Sequence, residues 1–600
     1  MFEAELRSVE QQILQRLEAA GTPPPGTLAF APIPYAGQWG VGSPICFQAA
    51  AAEARAGRPG PVPARAAELA ERVASGITPP AGIDRIEADR GYVNVYFYTP
   101  AFAKRVVATV AEQGNDFGRG PKRSERVMVE FAQPNTHHSF HIGHARNAVL
   151  GESLARIVEF AGFPTVRASY PGDIGLGVIT CLWAYDRFHR GQEPEGVFER
   201  GRWLAEIYTQ ATSLVTEQPE ETEETRSQRQ AHDQERRAML RRWDEGDPEV
   251  RELWMTTRQW SLDELHAILQ LLGIAIDVYF FESEASAPAK EIVSELIERG
   301  IAEDERPEGP VLVRIDEKLG LTKERYRTAV LLRSDGTTLY LTNDLALAKQ
   351  KFERYHIDRS IYVVDVRQSL HFQQVFKILE LWGFPQAAKC HHLAYGFVTL
   401  PEGAMSSRKG NVVYFMDVYT EVVARVQRVI DEKNPDMPPA VRPRVASEVG
   451  LGALLYGLLA VDNTRDMVFE MDAALSFEGQ TGPYIQNAHV RAGSILRKAG
   501  QIPPDPTFEH ELSPHEVELI DLVGRFPAIV EQASAEYKPL IVANYAYDLA
   551  RHFHAFYHSD PVLQADSESA RVSRLHLTAA VRQTLRNSLR LLAIAAPEQM

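Results

Sequence analysis

The sequence predicts a multidomain α/β protein: a doubly wound parallel sheet at its centre, an α+β domain before it and an all-α domain after it. Three observations carry that prediction. Strand-like and helix-like segments alternate through the middle of the 600-residue chain. The first stretch mixes helical periodicity with one clear strand, and the last shows helical periodicity with Pro-punctuated boundaries, as at Pro503-Pro504 and Pro561.

Residues 1–115 open with a helix-like pattern and hold a long Ala/Arg/Glu segment, Ala49 to Ala74. They turn strand-like at Gly91-Tyr92-Val93-Asn94-Val95-Tyr96-Phe97. Pro23-Pro24-Pro25-Gly26 and Pro79-Pro80-Ala81-Gly82 interrupt this domain, and Gly114 to Lys122 reads as a linker. The central domain is 116–415. Val127 to Phe131 is a buried-type strand, followed by a His/Gly turn and a helix from about Ala145 to Gly162. Further strands are expected at Val311 to Ile315, Thr338 to Leu341 and Ile361 to Val364, all feeding the parallel sheet. A charged helical insert over about 186–270 breaks the rhythm, and its run Glu220-Glu221-Thr222-Glu223-Glu224 reads as solvated surface. Residues 416–600 form the helical domain.

Composition excludes several classes. The chain is 44% hydrophobic and 24% charged, which argues against global disorder, and 40 Gly, 37 Pro and 3 Cys argue against collagen-like and disulfide-scaffold chains. Cys46, Cys181 and Cys390 are far apart and form no CxxC, so they read as buried thiols of a reducing compartment. The acidic start, Met1-Phe2-Glu3-Ala4-Glu5, does not resemble a signal peptide. The longest uncharged apolar run, Val449 to Val461, is 13 residues and too short to span a bilayer. A soluble, cytoplasmic protein is expected, with no membrane partner. Its net charge of -16 argues against a generic polyanion binder but leaves room for a specific basic face.

Chemistry concentrates in Glu130-Phe131-Ala132-Gln133-Pro134-Asn135-Thr136-His137-His138-Ser139-Phe140-His141-Ile142-Gly143-His144. The segment follows a strand and enters a helix, so backbone N–H groups and the helix dipole converge on a natural phosphate site. Gly143 allows close approach of a nucleotide, and His141 and His144 can donate to a phosphate that gains charge. Ordinary capping histidines remain an alternative. So does a metal site, because His138, His141 and His144 recur every third residue, though no carboxylate or Cys accompanies them at ligand spacing.

His141-Ile142-Gly143-His144 resembles the HIGH motif of class I aminoacyl-tRNA synthetases. Ala404-Met405-Ser406-Ser407-Arg408-Lys409-Gly410-Asn411 resembles their KMSKS loop, in the MS(S/T)RKGN form common among arginyl-tRNA synthetases. Ala404 and Ser407 stand where that loop usually has its two lysines. Glu130 to Asn135 is similar to the ExxxPN segment of the same family, Gly172-Asp173-Ile174-Gly175 to its GDxG turn, and Ser334 to Asp344 to its amino-acid pocket. Asp365 to His371 is similar to the segment beyond the next strand. Phe477 to Arg491, Tyr547 to Val562 and Leu591 to Met600 resemble its helical anticodon-binding domain, and the first stretch resembles its additional N-terminal domain.

The resemblance implies a Rossmann-like catalytic domain that joins L-arginine to tRNA-Arg through arginyl-adenylate, with Mg2+ arriving on ATP and no tightly bound protein metal. His141, His144, Arg408 and Lys409 would be catalytic. His138, His141, Gly143, His144, Met405, Ser406, Ser407, Arg408 and Lys409 would bind ATP. Arginine's rigid, always charged fork needs carboxylates, and by correspondence these are Glu130 and Asp344, with Tyr340 shaping the pocket and Asn135 and Gln368 at the substrate's backbone end. Asp344 also fits a helix cap. Tyr92, Asn94, Tyr484, Gln486 and Arg491 are the expected tRNA contacts, although Tyr92 fits a plain half-buried strand residue nearly as well. Family behaviour implies that tRNA binds before arginine is activated, and a monomer is expected. Two rivals stand: a class I relative for another amino acid, which the acidic pocket disfavours, and a non-catalytic RNA-binding paralogue, to which only the altered lysine loop points.

Overall fold

The structure, a computed structural model, describes the chain outside residues 1, 23–27, 59, 218–219, 401–402, 405–411, 469, 475 and 477–478, and outside the side chains of 286–287, 400, 403–404, 471 and 474. The chain divides into two compact units. One comprises Met1–Phe117, Arg491–Arg525 and Arg551–Thr584; the other comprises Gly118–Val490, Phe526–Ala550 and Leu585–Met600.

In the first unit, β1 (Ala31–Pro32), β2 (Gly40–Ser43), β3 (Ile83–Asp89) and β4 (Tyr92–Phe97) form an antiparallel sheet in the order β1-β2-β4-β3. Helices Ile45–Arg55 and Val62–Ala74 account for the Ala/Arg/Glu segment, and Leu69 and Val73 are buried with Val93 and Val95 of β4. The rings of Phe2, Trp39, Phe97 and Phe102 stack into one aromatic cluster. β4 is paired on both sides, which buries Asn94 over Gly42 of β2 while Tyr92 stays 45% exposed.

The second unit holds the parallel sheet. β5 (Val127–Glu130), β6 (Thr165–Ser169), β7 (Val278–Tyr279), β11 (Arg359–Asp365) and β12 (Cys390–Tyr395) run parallel in the order β12-β11-β5-β6-β7. The winding reverses between β5 and β11, so the crevice beyond their carboxyl ends is where a ligand site belongs. Helix Ile142–Phe160 crosses from β5 to β6, starting three residues earlier than the sequence predicts because His141 caps it.

Two expected strands behave differently. Val311 to Ile315 was assigned to the parallel sheet, but β9 (Val311–Arg314) pairs antiparallel with β8 (Glu303–Asp304) and β10 (Thr328–Leu332) in a separate sheet. Its apolar alternation is satisfied by its own core of Val311, Val313, Leu331 and Leu345. Thr338 to Leu341 is not a strand. Thr338 makes one bridge to Leu332, and helix Tyr340–Tyr355 then begins, because Thr342 donates its N–H to Leu339 O at 3.0 Å and its buried hydroxyl to Leu331 O.

The insert is three helices, Val197–Val215, Glu223–Asp244 and Pro248–Leu271, as its charge pattern predicts. After β12, β13 (Val398–Leu400) pairs with β14 (Gly403–Ala404) and runs parallel to β15 (Met467–Val468), so residues past 416 return to a strand before the last four helices, Gly482–Ala499, Pro514–Glu536, Pro539–Ser559 and Glu568–Leu591.

One buried cation fastens this return. Arg146, on helix Ile142–Phe160, is 1% exposed and donates to backbone oxygens of Gly396 (2.7 Å), Phe397 (3.1 Å), Asp462 (3.3 Å) and Arg465 (2.9 Å). Replacing it by Met leaves several buried carbonyls without donors, and Arg146→Met is expected to cost at least about 3 kcal/mol. Arg146→Lys should recover only part of this, because one ammonium does not fork between the two segments. Urea unfolding midpoints of the two variants check both statements.

Candidate active site

β5 delivers the chain into the crevice at Glu130. Beyond it Ala132 takes a left-handed conformation (φ 56°), with its N–H held by Asn147 Oδ1, while Asn147 Nδ2 donates to Val363 O of β11 at 2.7 Å. Thr136 N–H donates to Gly172 O at 2.8 Å. His137, also left-handed and fully buried, has its ring between the hydroxyls of Thr136 and Thr257, and burial pushes its pKa down to about 3. It is a neutral structural pin.

His141 and His144 cap the next helix reciprocally. His141 Nδ1 accepts from the N–H groups of Gly143 (3.1 Å) and His144 (3.2 Å), and His144 Nδ1 accepts from His141 N–H at 3.4 Å. The rings stack with centroids 3.6 Å apart. Burial lowers the pKa of His141 to about 4 and that of His144 well below its ordinary value. Both rings are therefore neutral. Because each Nδ1 accepts, each proton sits on Nε2, which leaves two Nε2–H donors at a helix N-terminus. Capping and donation are thus one arrangement. His138 stands beside them, half-buried, with its ring 4.2 Å from that of Tyr208 and Nδ1 3.1 Å from Thr136 O. Among the described residues no group of His, Cys, Asp or Glu side chains is arranged to hold a metal.

The turn is stitched to the segment that follows residues 405–411. Ile142 N–H donates to Val413 O at 3.1 Å, Phe415 N–H donates to Phe140 O at 3.0 Å, and His141 bridges Tyr414. Met405, Ser406, Ser407, Arg408 and Lys409 themselves lie outside the described residues.

Acidic groups gather beside β5. Glu130 is buried, with Oε2 2.5 Å from the equally buried Lys351 Nζ in an ion pair lacking hydrogen-bond geometry, and burial raises its pKa. Lys351 also lies 4.0 Å above the Tyr362 ring. Asp344, two turns before Lys351 on the same helix, is bonded to His371 Nε2. Asp173 is fully buried and accepts from Arg258 Nε (2.8 Å), Ser283 N–H (2.9 Å) and Ser283 Oγ (2.7 Å). Glu282, at the start of the helix after β7, has its pKa pushed up to about 8, first by burial and then by the fields of Asp173 and Asp344. A Cβ at Gly172 would collide with Asn135 Oδ1 and come within 3.4 Å of Glu282 Oε2, so the GDxG glycine is the floor between them. Tyr340, 65% exposed, carries its hydroxyl over Gly175, and Gln368 is exposed just past β11. The structure thus brings Glu130, Asn135, Asp344 and Tyr340 around the crevice, with Gln368 at its β11 side.

Sequence reasoning missed Glu282 and Lys351. A signal for Glu282 existed: Phe280-Phe281-Glu282-Ser283 follows a strand at the carboxyl edge of the sheet, where an acid after two aromatics is conspicuous. Lys351 is legible only as a position seven residues after Asp344, on the same helical face.

The expected RNA contacts divide. Tyr92 is exposed, Tyr484 is half-buried with its ring 5.6 Å from Tyr547, and Arg491 lies over the Tyr557 ring and 3.2 Å from His554 Nδ1. Asn94 and Gln486 need correction. Asn94 is buried in the middle of its sheet and offers no base-reading edge to solvent. Gln486 is fully buried and spends its amide on Glu448 O (3.1 Å) and Ala595 O (2.9 Å), a structural brace.

Comparison with known proteins gives a consistent result. The family described as tRNA synthetases class I (R), catalytic domain, matches residues 106–471, and the DALR anticodon binding domain matches 485–600. An arginine–tRNA ligase of Bdellovibrio bacteriovorus is 36% identical, over 85% of this chain and 86% of its own. One of Treponema pallidum is 34% identical, over 85% of each. The arginyl-tRNA synthetase structure of Thermus thermophilus superposes with a TM-score of 0.77 at 27% identity, covering 99% of this chain and 100% of its own.

Capping and donation by His141 can be separated. His141→Asn keeps an acceptor for the two backbone donors but removes the Nε2–H. Thermal stability is expected to change by less than about 1 kcal/mol, while arginine-dependent ATP–pyrophosphate exchange falls by about 10²–10³-fold. Calorimetry beside the exchange assay reads both.

Proposed function

The chain belongs to the arginyl-tRNA synthetase family of class I tRNA synthetases, and from that premise we propose how its residues carry the two steps of arginine–tRNA ligation. It is an arginine–tRNA ligase. The carboxylate of arginine attacks the α-phosphate of ATP, forming a carboxyl–phosphate bond as pyrophosphate leaves. A hydroxyl of the tRNA's terminal ribose then attacks the arginyl carbonyl, and AMP leaves.

The observation that carries the assignment of roles is the neutral His141–His144 pair, with both Nε2–H donors at a helix N-terminus in the switch-point crevice. Neutral donors strengthen as the phosphate gains charge and carry no cation to be screened beforehand. Mg2+ enters with ATP as part of that substrate and keeps most of its waters. Arg408 and Lys409 supply positive charge for the departing pyrophosphate.

Asp344 and Glu282 form the guanidinium fork. Glu130 is compensated by Lys351 and acts from beneath, Tyr340 covers the side chain, and Asn135 and Gln368 hold the amino-acid end. Tyr92, Tyr484 and Arg491 are the tRNA contacts that remain exposed or partly exposed. The enzyme acts as a cytoplasmic monomer, and tRNA precedes arginine in the activation step.

The test is ATP–pyrophosphate exchange with arginine, lysine, glutamine and citrulline, each with and without a tRNA-Arg transcript. Exchange with arginine alone, and only with tRNA, is the expected result. Binding of tRNA without exchange by any amino acid would instead support the RNA-binding paralogue.

The pocket also sets a pH dependence. Glu282 is protonated in the empty site below about pH 8 and must ionise to face a guanidinium, so arginine binding releases a proton. Arginine's KM should fall about tenfold for each pH unit gained up to pH 8 and then level off. In Glu282→Gln that slope should vanish, with KM raised throughout. Steady-state kinetics from pH 6.5 to 9 measures it.

A further inference from the structure

One buried acid outside the arginine pocket holds the nucleotide turn. Glu264, on helix Pro248–Leu271, is 4% exposed, and its Oε1 accepts from Ser139 Oγ at 2.6 Å. The Phe140 backbone also favours its charged form. Helix Val197–Val215 is shaped around it: a Cβ at Gly201 would collide with the carboxylate. Ser139 and Phe140 immediately precede His141, and Phe140 O receives Phe415 N–H at 3.0 Å. Glu264 therefore stands directly behind the pairing that joins the His141 turn to the segment leaving residues 405–411.

Among the described residues, its surroundings offer the acid no ion-paired cation. The charged and titratable groups that line a pocket together with it are Glu199 and Arg202 of helix Val197–Val215, Tyr414 and Asp417 of the segment after 411, and His138 of the turn. Arg202 is paired with Asp417 (3.1 Å) and Glu206 (3.4 Å), and among the described residues no cation is ion-paired with Glu264. A cavity of about 250 Å³ is bordered by Ser139, Arg202, Glu264 and Tyr414. Burial pushes its pKa up to about 7.

We propose that Glu264 is a positioning residue for the activation step: its carboxylate holds Ser139 and Phe140, and through them His141, in working register, and protonation loosens that hold and slows activation. An ionised carboxyl is a stronger acceptor for the Ser139 hydroxyl and keeps both oxygens for the Phe140 backbone, whereas a protonated one gives up part of that capacity to its own O–H. The proposal rests on the arginine-activating reading above.

The test is the pH profile of exchange kcat between pH 5.5 and 8.5, at saturating arginine so that Glu282 and KM do not contribute. The wild type should lose rate below a midpoint near pH 7. Glu264→Gln keeps an acceptor for Ser139 but no titration, and should be slower at pH 8 with a profile flat from pH 6 to 8. Ser139→Ala removes a donor that favours the charged form, so its midpoint should move to higher pH. An acid limb unchanged in both variants overturns the proposal, and if Glu264→Gln does not fold, the Ser139→Ala midpoint decides alone.

A second measurement needs no activity. A carboxyl whose folded pKa is raised stabilises the protein most below its ordinary pKa near 4.5, and that contribution is lost as pH rises through about 7. Glu264→Gln should therefore raise Tm more at pH 8 than at pH 5, and an offset equal at both pH values overturns the titration. Absence of arginine-dependent exchange at every pH would count against the functional reading instead, with the Tm comparison still judging Glu264.

Discussion

The site depends on Arg146. A guanidinium at 1% exposure normally meets a carboxylate, but this one meets five backbone carbonyls spread over residues 396–397 and 462–465. Carbonyl dipoles satisfy its donors without bringing another charge into the interior, which avoids the desolvation cost of a second buried ion. One side chain on the nucleotide-binding helix thereby fixes the ends of two chain segments otherwise free to slide. β13 and β15 can lie parallel because the turns before them are gathered on the same cation. The strand-like pairing of 140–142 with 413–415 then has a rigid base.

Electrostatics in the crevice follow from compensation. Four carboxyl groups, Glu130, Asp173, Glu282 and Asp344, stand within reach of each other's fields, an arrangement that repels itself unless each is managed differently. Glu130 has Lys351, Asp173 has Arg258 and two donors from Ser283, and Asp344 has His371. Among the described residues Glu282 has no such partner, and it stays neutral by keeping its proton. The empty pocket thus holds its acidity in reserve, and a permanently charged planar cation draws it out.

Much of this was legible in the residues. The strand Val127–Glu130, the turn after it and the helix entered at His141 could be read because strand, glycine and capping signals fall in unbroken sequence. The insert could be read from its charge pattern. Val311 to Arg314 could not be assigned to the right sheet, since alternation reports that a strand is half-buried and nothing about its partner. Thr338 to Leu341 was misread because β-branched and aromatic residues favour strands, whereas tertiary bonds from Thr342 started a helix. Asn94 and Gln486 carry polar side chains that suit both recognition and bracing, and only burial separates these roles. Lys351 could be placed on the helical face of Asp344 but not in the interior, because a lysine on a helix reads as surface until its partner is known.

The unit boundaries bear on how the protein is made. Residues 1–117 complete their unit only with 491–525 and 551–584, and within it Asn115 bonds Gln583 while Lys104 pairs with Asp505. On a ribosome, residues 1–117 must wait for 491–525 and 551–584 to emerge. Loop-closure entropy for a separation of several hundred residues is spent before those contacts form, which makes the unit one of high contact order. The small sheet with its aromatic cluster of Phe2, Trp39, Phe97 and Phe102 gives the early segment a core of its own during that interval. A unit completed that late is the part of the chain most open to misassembly during synthesis.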